Sequence, residues 1–160
     1  MKMGQKYMYR DHIIFVAGSI CSGKTYEARL LAEDLEYDLV EISNIVRGIL
    51  DTNKRDKLQG HPEISTQIIN QLAEIRRTTK KKGVVISGPR QVEIVSAFPE
   101  AELIWMNTSL ELCFERFCSR GDSKDVEFDR NTFEEYLLKD DELGLQEVKQ
   151  YMEKKKYEKN

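Results

Sequence analysis

The sequence predicts a three-layer α/β fold, a parallel sheet with helices on both faces. Three observations predict it. Short, almost wholly apolar segments alternate with stretches whose apolar residues recur at helical spacing, the order expected of strand–helix–strand units. The first apolar segment feeds directly into a glycine-rich loop, Gly18-Ser19-Ile20-Cys21-Ser22-Gly23-Lys24-Thr25. A chain of 160 residues at 40% hydrophobic suits one core, and no internal repeat suggests a second domain.

The first strand is His12–Ala17, and the first helix runs from Lys24 to about Glu36 with Ala28, Leu31, Ala32 and Leu35 at helical spacing. Tyr37 to Ile42 reads as a second strand, which Val40 and Ile42 mark as buried. Ser43 is the expected N-cap of a short helix to about Leu50. Asp51 to His61 is a polar connection. Pro62 then opens a long helix whose buried stripe is Ile64, Ile68, Leu72 and Ile75. Gly83 is expected to end it, before a buried strand at Val84–Ile86.

Gln91 to Phe98 reads as a short helix and Ala101 to Met106 as the fourth strand. Thr108 and Glu111 have capping-box spacing for a helix that buries Leu110, Cys113, Phe114 and Phe117. Gly121 to Arg130 is polar, Asp-rich and aperiodic, the pattern of a mobile loop. Thr132 and Glu135 form a second capping box. A last helical stretch from about Asp140 runs into a Lys/Glu tail expected to fray.

Net charge is −3, so no global positive field draws the chain to nucleic acid or an anionic membrane. Three cysteines, one of them in the glycine-rich loop, argue for a reducing compartment rather than a disulfide framework. Met1 to Arg10 is polar and tyrosine-rich, with no apolar stretch for export or spanning. The expected setting is cytoplasmic and soluble, with no membrane partner.

The loop is G-x-x-x-x-G-K-[ST] at full length, the phosphate-binding P-loop, with the required strand before it and helix after it. Its glycines let backbone N–H groups form an anion nest, and the helix aims its positive dipole end at the phosphates. Lys24 is placed for the β- and γ-phosphates of ATP, and the Thr25 hydroxyl for Mg²⁺.

Other candidates stand where strands end. Glu41 closes the second strand, where a carboxylate can take a proton from an acceptor hydroxyl or hold the metal's water shell. Arg47, one turn past Ser43, can clamp an acceptor phosphate bidentately. Ser87-Gly88-Pro89-Arg90-Gln91 turns sharply out of the third strand and throws Arg90 over the carboxyl edge. Many P-loop proteins place a metal-binding Asp at this strand end. Here Ser87 or Gly88 stands there, leaving Glu41 as the nearest carboxylate. Arg116 and Arg120, one turn apart beside the Asp-rich loop, have the form of a lid over transferring phosphate.

The cluster Arg76, Arg77, Lys80, Lys81 and Lys82 reads first as cations in the last turn of a helix. His61 has no second metal-type ligand at useful spacing. Cys21 occupies a position that the loop motif leaves free.

Together these segments resemble the nucleoside monophosphate kinase superfamily, including the adenylate, thymidylate and dephospho-coenzyme A kinases and viral deoxynucleotide or DNA kinases. The resemblance covers roughly residues 12 to 140. It implies a P-loop NTPase fold in one domain over residues 1–160, with an acceptor-binding segment at about 43–82 and a lid at about 116–132. By the adenylate kinase pattern, Arg47 matches an arginine that holds the acceptor phosphate. Ser-Gly-Pro-Arg is similar to that family's Asp-Gly-x-Pro-Arg but lacks the Asp. By the deoxynucleoside kinase pattern, Glu41 matches the base for a hydroxyl acceptor. From Asn107 to Thr132 the chain is most similar to the dephospho-coenzyme A kinase branch. That branch ends in a further strand and an adenine-contacting loop; neither is legible before Asn160, which leaves a shortened chain or a loosely held base.

Three functions stay open on the sequence. The first is an ATP- and Mg²⁺-dependent kinase of a nucleotide or nucleotide-like small molecule, with a deoxynucleoside monophosphate as the expected acceptor. Catalytic roles then fall to Lys24, Glu41, Arg116 and Arg120, and acceptor binding to Ser43, Arg47 and Arg90. The second is a kinase of hydroxyls in DNA, for which steep salt dependence is diagnostic. The third is a non-catalytic nucleotide-binding module, which has little need for an arginine lid. A homodimer is compatible with each. If the chain is viral, the compartment is the host cytoplasm.

Overall fold

The computed structural model describes residues 12–50, 64–119 and 129–158. Met1 to Arg10, the connection from Asp51 to His61, Pro62, Arg120 and the Asp-rich stretch through residue 128 lie outside the described residues.

Strands and helices alternate as β1 (His12–Ala17), α1 (Lys24–Leu35), β2 (Asp38–Glu41), α2 (Ile42–Leu50), α3 (Ile64–Thr78), β3 (Gly83–Ser87), α4 (Val92–Ser96) and β4 (Glu102–Trp105). Three helices follow: α5 (Leu110–Cys118), α6 (Arg130–Leu143) and α7 (Leu145–Glu158). The sheet is wholly parallel in the order β2-β3-β1-β4. Register sets Phe15 beside both Ile86 and Leu103, with Val40 beside Ile86.

The pleat of β1 separates two layers of core. Ile13, Phe15 and Ala17 pack with Ile68, Leu72, Ile94, Val148 and Met152. Ile14 and Val16 face the other way, onto Ala28 and Ala32 of α1 and onto Tyr37. A third cluster joins Ile20 and Cys21 of the glycine-rich loop to Cys113 and Phe117 of α5 and Phe133 of α6. The three-layer α/β P-loop fold is therefore present, with the carboxyl ends of all four strands on one edge of the sheet.

Several local expectations are corrected by packing. β2 is an edge strand with one neighbour, so it is partly exposed rather than buried, Leu39 at 38%. Helix α2 begins at Ile42 with no intervening turn, which puts Ser43 inside it and removes its capping role. α3 ends at Thr78, so Lys80 to Lys82 follow the helix instead of lying in its last turn.

Gly83 opens β3, where a Cβ would stand 2.5 Å from the His12 carbonyl and 2.6 Å from the Tyr37 ring. Leu35 and Leu110 are exposed, at 41% and 52%. Both helix caps sit on another residue than expected, Ser109 one position after Thr108 and Asp129 three before Thr132, each the non-helical residue just ahead of its first turn. Ser109 Oγ accepts from Leu112 N at 3.2 Å, and Asp129 Oδ1 accepts from Thr132 N at 2.8 Å. Gly144, at φ 113°, breaks the last helical stretch in two. The tail is helical to Glu158, because Leu145, Val148 and Met152 give α7 a buried stripe.

Candidate functional site

The glycine-rich loop wraps from the end of β1 to the start of α1. Gly23 takes φ 95° and Cys21 φ 59°, the left-handed turns that bring successive N–H groups to one side. Close packing holds the loop: a Cβ on Gly18 would meet Met106 at 3.0 Å and would overlap the Ser22 hydroxyl. Lys24 Nζ donates to the Ser19 carbonyl at 3.2 Å, lying back across its own loop.

A cleft of about 130 Å³ opens beside Lys24 at the carboxyl ends of β1, β2 and β3. It is lined by Ile20, Cys21, Lys24, Thr25, Glu41, Ser43, Ser87, Gly88 and Arg90. The structure thus brings residues of the loop together with Glu41, Ser43 and Arg90 around one cleft. Glu41 also accepts from Asn44 Nδ2 at 3.3 Å, which steadies its carboxylate at the rim. Gly88, at φ 88°, has Lys24 Cε and Arg90 Nη1 each 3.8 Å from the position a Cβ would take.

Arg116 approaches the loop from the α5 side, donating from Nη1 to the Cys21 carbonyl at 3.4 Å. Arg47 is exposed on α2 and is not among the residues lining the cleft. Arg120 lies outside the described residues. Of the basic cluster, Arg76 pairs with Glu100 and Arg77 with Glu74, while Lys81 lies 3.6 Å from Asp38.

One site residue escaped the sequence reading. Asp140 of α6 is fully buried and accepts from Arg90 Nε at 2.8 Å. Its signal was present: an acidic residue in phase with Phe133 and Leu137 on an apolar helical face. The cationic fork of Arg90 therefore already meets an anion, one supplied by the protein.

Burial pushes the Cys113 thiol up, with Cys21 adding to the shift and Arg116 and Lys24 opposing it. Ser22 Oγ is buried with no hydrogen-bond partner among the described residues. With Lys24, Thr25 and the positive-φ glycines, that orphaned hydroxyl fits a polyphosphate. Thr25 and Glu41 add oxygen donors of the kind Mg²⁺ takes. Among the described residues, no group of three His, Cys, Asp or Glu forms a metal site by itself. No helix among the described residues is long and apolar enough to cross a membrane.

A family profile described as AAA domain, AAA_33, matches residues 13–141. No curated protein matches the chain. Among solved structures, the shikimate kinase of Bacteroides thetaiotaomicron superposes with TM-score 0.55 at 13% identity, covering 82% of this chain and 77% of that one. The shikimate kinase of Acinetobacter baumannii, solved with shikimate, gives TM-score 0.54 at 17% identity over 87% and 84%. An uncharacterized protein of Eubacterium ventriosum gives 0.53 at 20% identity over 83% and 75%. These likenesses are of fold: a P-loop sheet whose strand ends surround the phosphate loop.

Proposed function

The chain belongs to the AAA_33 family of AAA domains, and we propose that it is an ATP-dependent phosphotransferase that moves the γ-phosphoryl group to a nucleotide-type acceptor. The observation that carries this reading is the shared cleft: Lys24 and Thr25 of the phosphate loop open onto the same space as Glu41 and Arg90. A site that only held a nucleotide would have no use for a carboxylate and a second cation at the far wall.

Bound ATP and Mg²⁺ supply the transferable phosphoryl group and neutralise charge on its oxygens. Lys24 leaves the Ser19 carbonyl for the phosphates, a short swing since both lie in one loop. Loop N–H groups and the N-terminus of α1 hold the phosphate chain. Thr25 offers its hydroxyl to the cation. Arg116, already against the loop at Cys21, and Arg90 across the cleft counter the charge that spreads over the transferring group.

Glu41 orients the acceptor, and this favours one form of it. With Glu41 in the cleft and Arg47 exposed outside it, a hydroxyl acceptor is better served than a phosphate acceptor. Glu41 then takes the hydroxyl proton as the oxygen attacks. The sequence resemblance to nucleoside and nucleotide kinases supports the nucleotide character of the acceptor, and Glu41 in the cleft favours a hydroxyl of that acceptor, rather than its phosphate, as the attacking group.

The test is transfer of label from γ-labelled ATP with Mg²⁺ to a panel of nucleosides, nucleoside monophosphates, dephospho-coenzyme A and DNA with hydroxymethylated bases. Label should enter a small nucleotide-type acceptor, and Lys24→Ala should abolish it. Label found only in DNA overturns the acceptor assignment. ATP bound without transfer to anything overturns phosphotransfer. Glu41→Gln should depress transfer to a hydroxyl at least tenfold more than transfer to a phosphate; equal losses remove Glu41 as the base.

A further inference from the structure

Among the described residues, Asp140 is the one acidic residue that is fully buried, at 0% exposed. A carboxylate taken out of water is costly unless a cation and hydrogen bonds meet it. Arg90 meets one of its oxygens, with Nε 2.8 Å from Oδ1 and its own side chain only 12% exposed, while Oδ2 is buried with no hydrogen-bond partner among the described residues. The pair joins residues 50 apart in sequence, from different layers of the fold.

The grip extends to the backbone. Gly144, the left-handed residue that ends α6, stands so close that a Cβ there would lie 3.1 Å from the Arg90 carbonyl. The last turn of α6 therefore bonds the Arg90 side chain and packs closely against its main chain.

Arg90 needs such a hold. It lies across Gly88 from Lys24, and two cations beside one small cleft repel each other when no phosphate is present. An unheld arginine would turn out to water. Asp140 takes Nε, while Nη1 donates to the Gly88 carbonyl at 3.3 Å. A guanidinium has five N–H donors. Those not used in these two bonds have no partner among the described residues. The same helix carries Phe133 and Tyr136 against Phe117 of α5, beside Arg116. Helix α6 thus bonds Arg90 and packs on the sequence neighbour of Arg116.

We propose that Asp140 is a positioning residue, holding Arg90 in the cleft so that its outer N–H groups meet the γ-phosphoryl group of a bound nucleoside triphosphate. The inference rests on the phosphotransferase reading and adds to it a residue that touches neither nucleotide nor acceptor.

The test measures equilibrium binding of MgADP and MgATP by displacement of a fluorescent nucleotide. The proteins are wild type, Asp140→Asn, Arg90→Met and the paired Arg90→Met/Asp140→Leu, with melting curves for each. Wild type should prefer MgATP. Asp140→Asn should keep its MgADP affinity within about twofold and lose about tenfold of the MgATP preference, the scale of one charge-assisted hydrogen bond. The paired variant, which replaces the ion pair by apolar volume, should fold and match Arg90→Met alone.

A folded Asp140→Asn that keeps the wild-type preference overturns the inference, as does an equal loss of both nucleotides, the mark of a merely structural role. If Asp140→Asn does not fold, the paired variant decides, and a wild-type preference there overturns the inference. Wild type that binds MgATP no tighter than MgADP overturns it alone. Wild type that binds neither nucleotide overturns the phosphotransferase reading and this inference together.

Discussion

The Thr108 hydroxyl donates to the Ser22 carbonyl at 2.6 Å, across 86 residues of sequence, and ties the exit of β4 to the phosphate loop. Ser22 is 1% exposed, so this carbonyl has little water to turn to. Thr108→Val keeps the side-chain shape and deletes the donor. It should cost about 1–3 kcal/mol in denaturant unfolding, the penalty for leaving a buried acceptor unmet. Nucleotide affinity should weaken several-fold with it, and Thr108→Ser should restore both. An unchanged midpoint would show that the loop stands without this tie.

Gly23 adopts φ 95°, and a Cβ there would lie 3.2 Å from Arg116 Nη1. Gly23→Ala should therefore lose about 1–2 kcal/mol from backbone strain, together with nucleotide affinity as the anion nest distorts. Gly48 is the internal control: it sits within α2 with nothing within 4 Å of its would-be Cβ. Gly48→Ala should stabilise the protein by roughly 0.5–1 kcal/mol. Thermal melts of the two variants should move in opposite directions.

Phe133 is 1% exposed and packs its ring against Phe114 and Phe117 at centroid distances of 5.5 and 5.4 Å. Phe133→Ala removes the centre of the cluster that backs the loop at Ile20 and Cys21. It should cost about 3–5 kcal/mol. Weaker MgADP binding in the folded fraction, read by calorimetry below the melting point, would show that the cluster supports the loop as well as the fold.

Cys118 is exposed, whereas Cys21 and Cys113 are buried. An aromatic disulfide reagent at neutral pH should titrate Cys118 quickly and reach the other two only on denaturation. Burial, then the neighbouring Cys21, raises the Cys113 thiol above its unfolded value, so between the two values the folded state holds the extra proton. This contribution to stability is full below the unfolded thiol value of about 8.5 and is lost as pH rises toward the folded one. Cys113→Ala should flatten that alkaline decline.

The strands and the phosphate loop were legible in the sequence because their signals are local. The run from His12 to Ala17 is apolar at every position after the first, as a central strand must be, and G-x-x-x-x-G-K-[ST] is a backbone requirement written in glycines. Placing Glu41 and Arg90 at strand ends followed from the same logic, since parallel strands deliver their carboxyl ends to one edge. The caps were misplaced for a physical reason. Thr108, Ser109, Asp129 and Thr132 all offer a cap-type oxygen, and only the actual entry angle of each helix selects one.

By itself the sequence determined an α/β chain with a glycine-rich phosphate-loop motif and a set of candidate side chains near strand ends, because periodicity and turn chemistry depend on neighbours a few residues away. The tertiary structure decided which of those side chains converge. It turned Arg47 outward, set Arg116 on the Cys21 carbonyl, bonded Thr108 to Ser22 and gave Arg90 a buried partner in Asp140. Those choices depend on sheet order and on how α5 and α6 pack over the loop. A buried charge finds its counterion through that packing and not through sequence spacing.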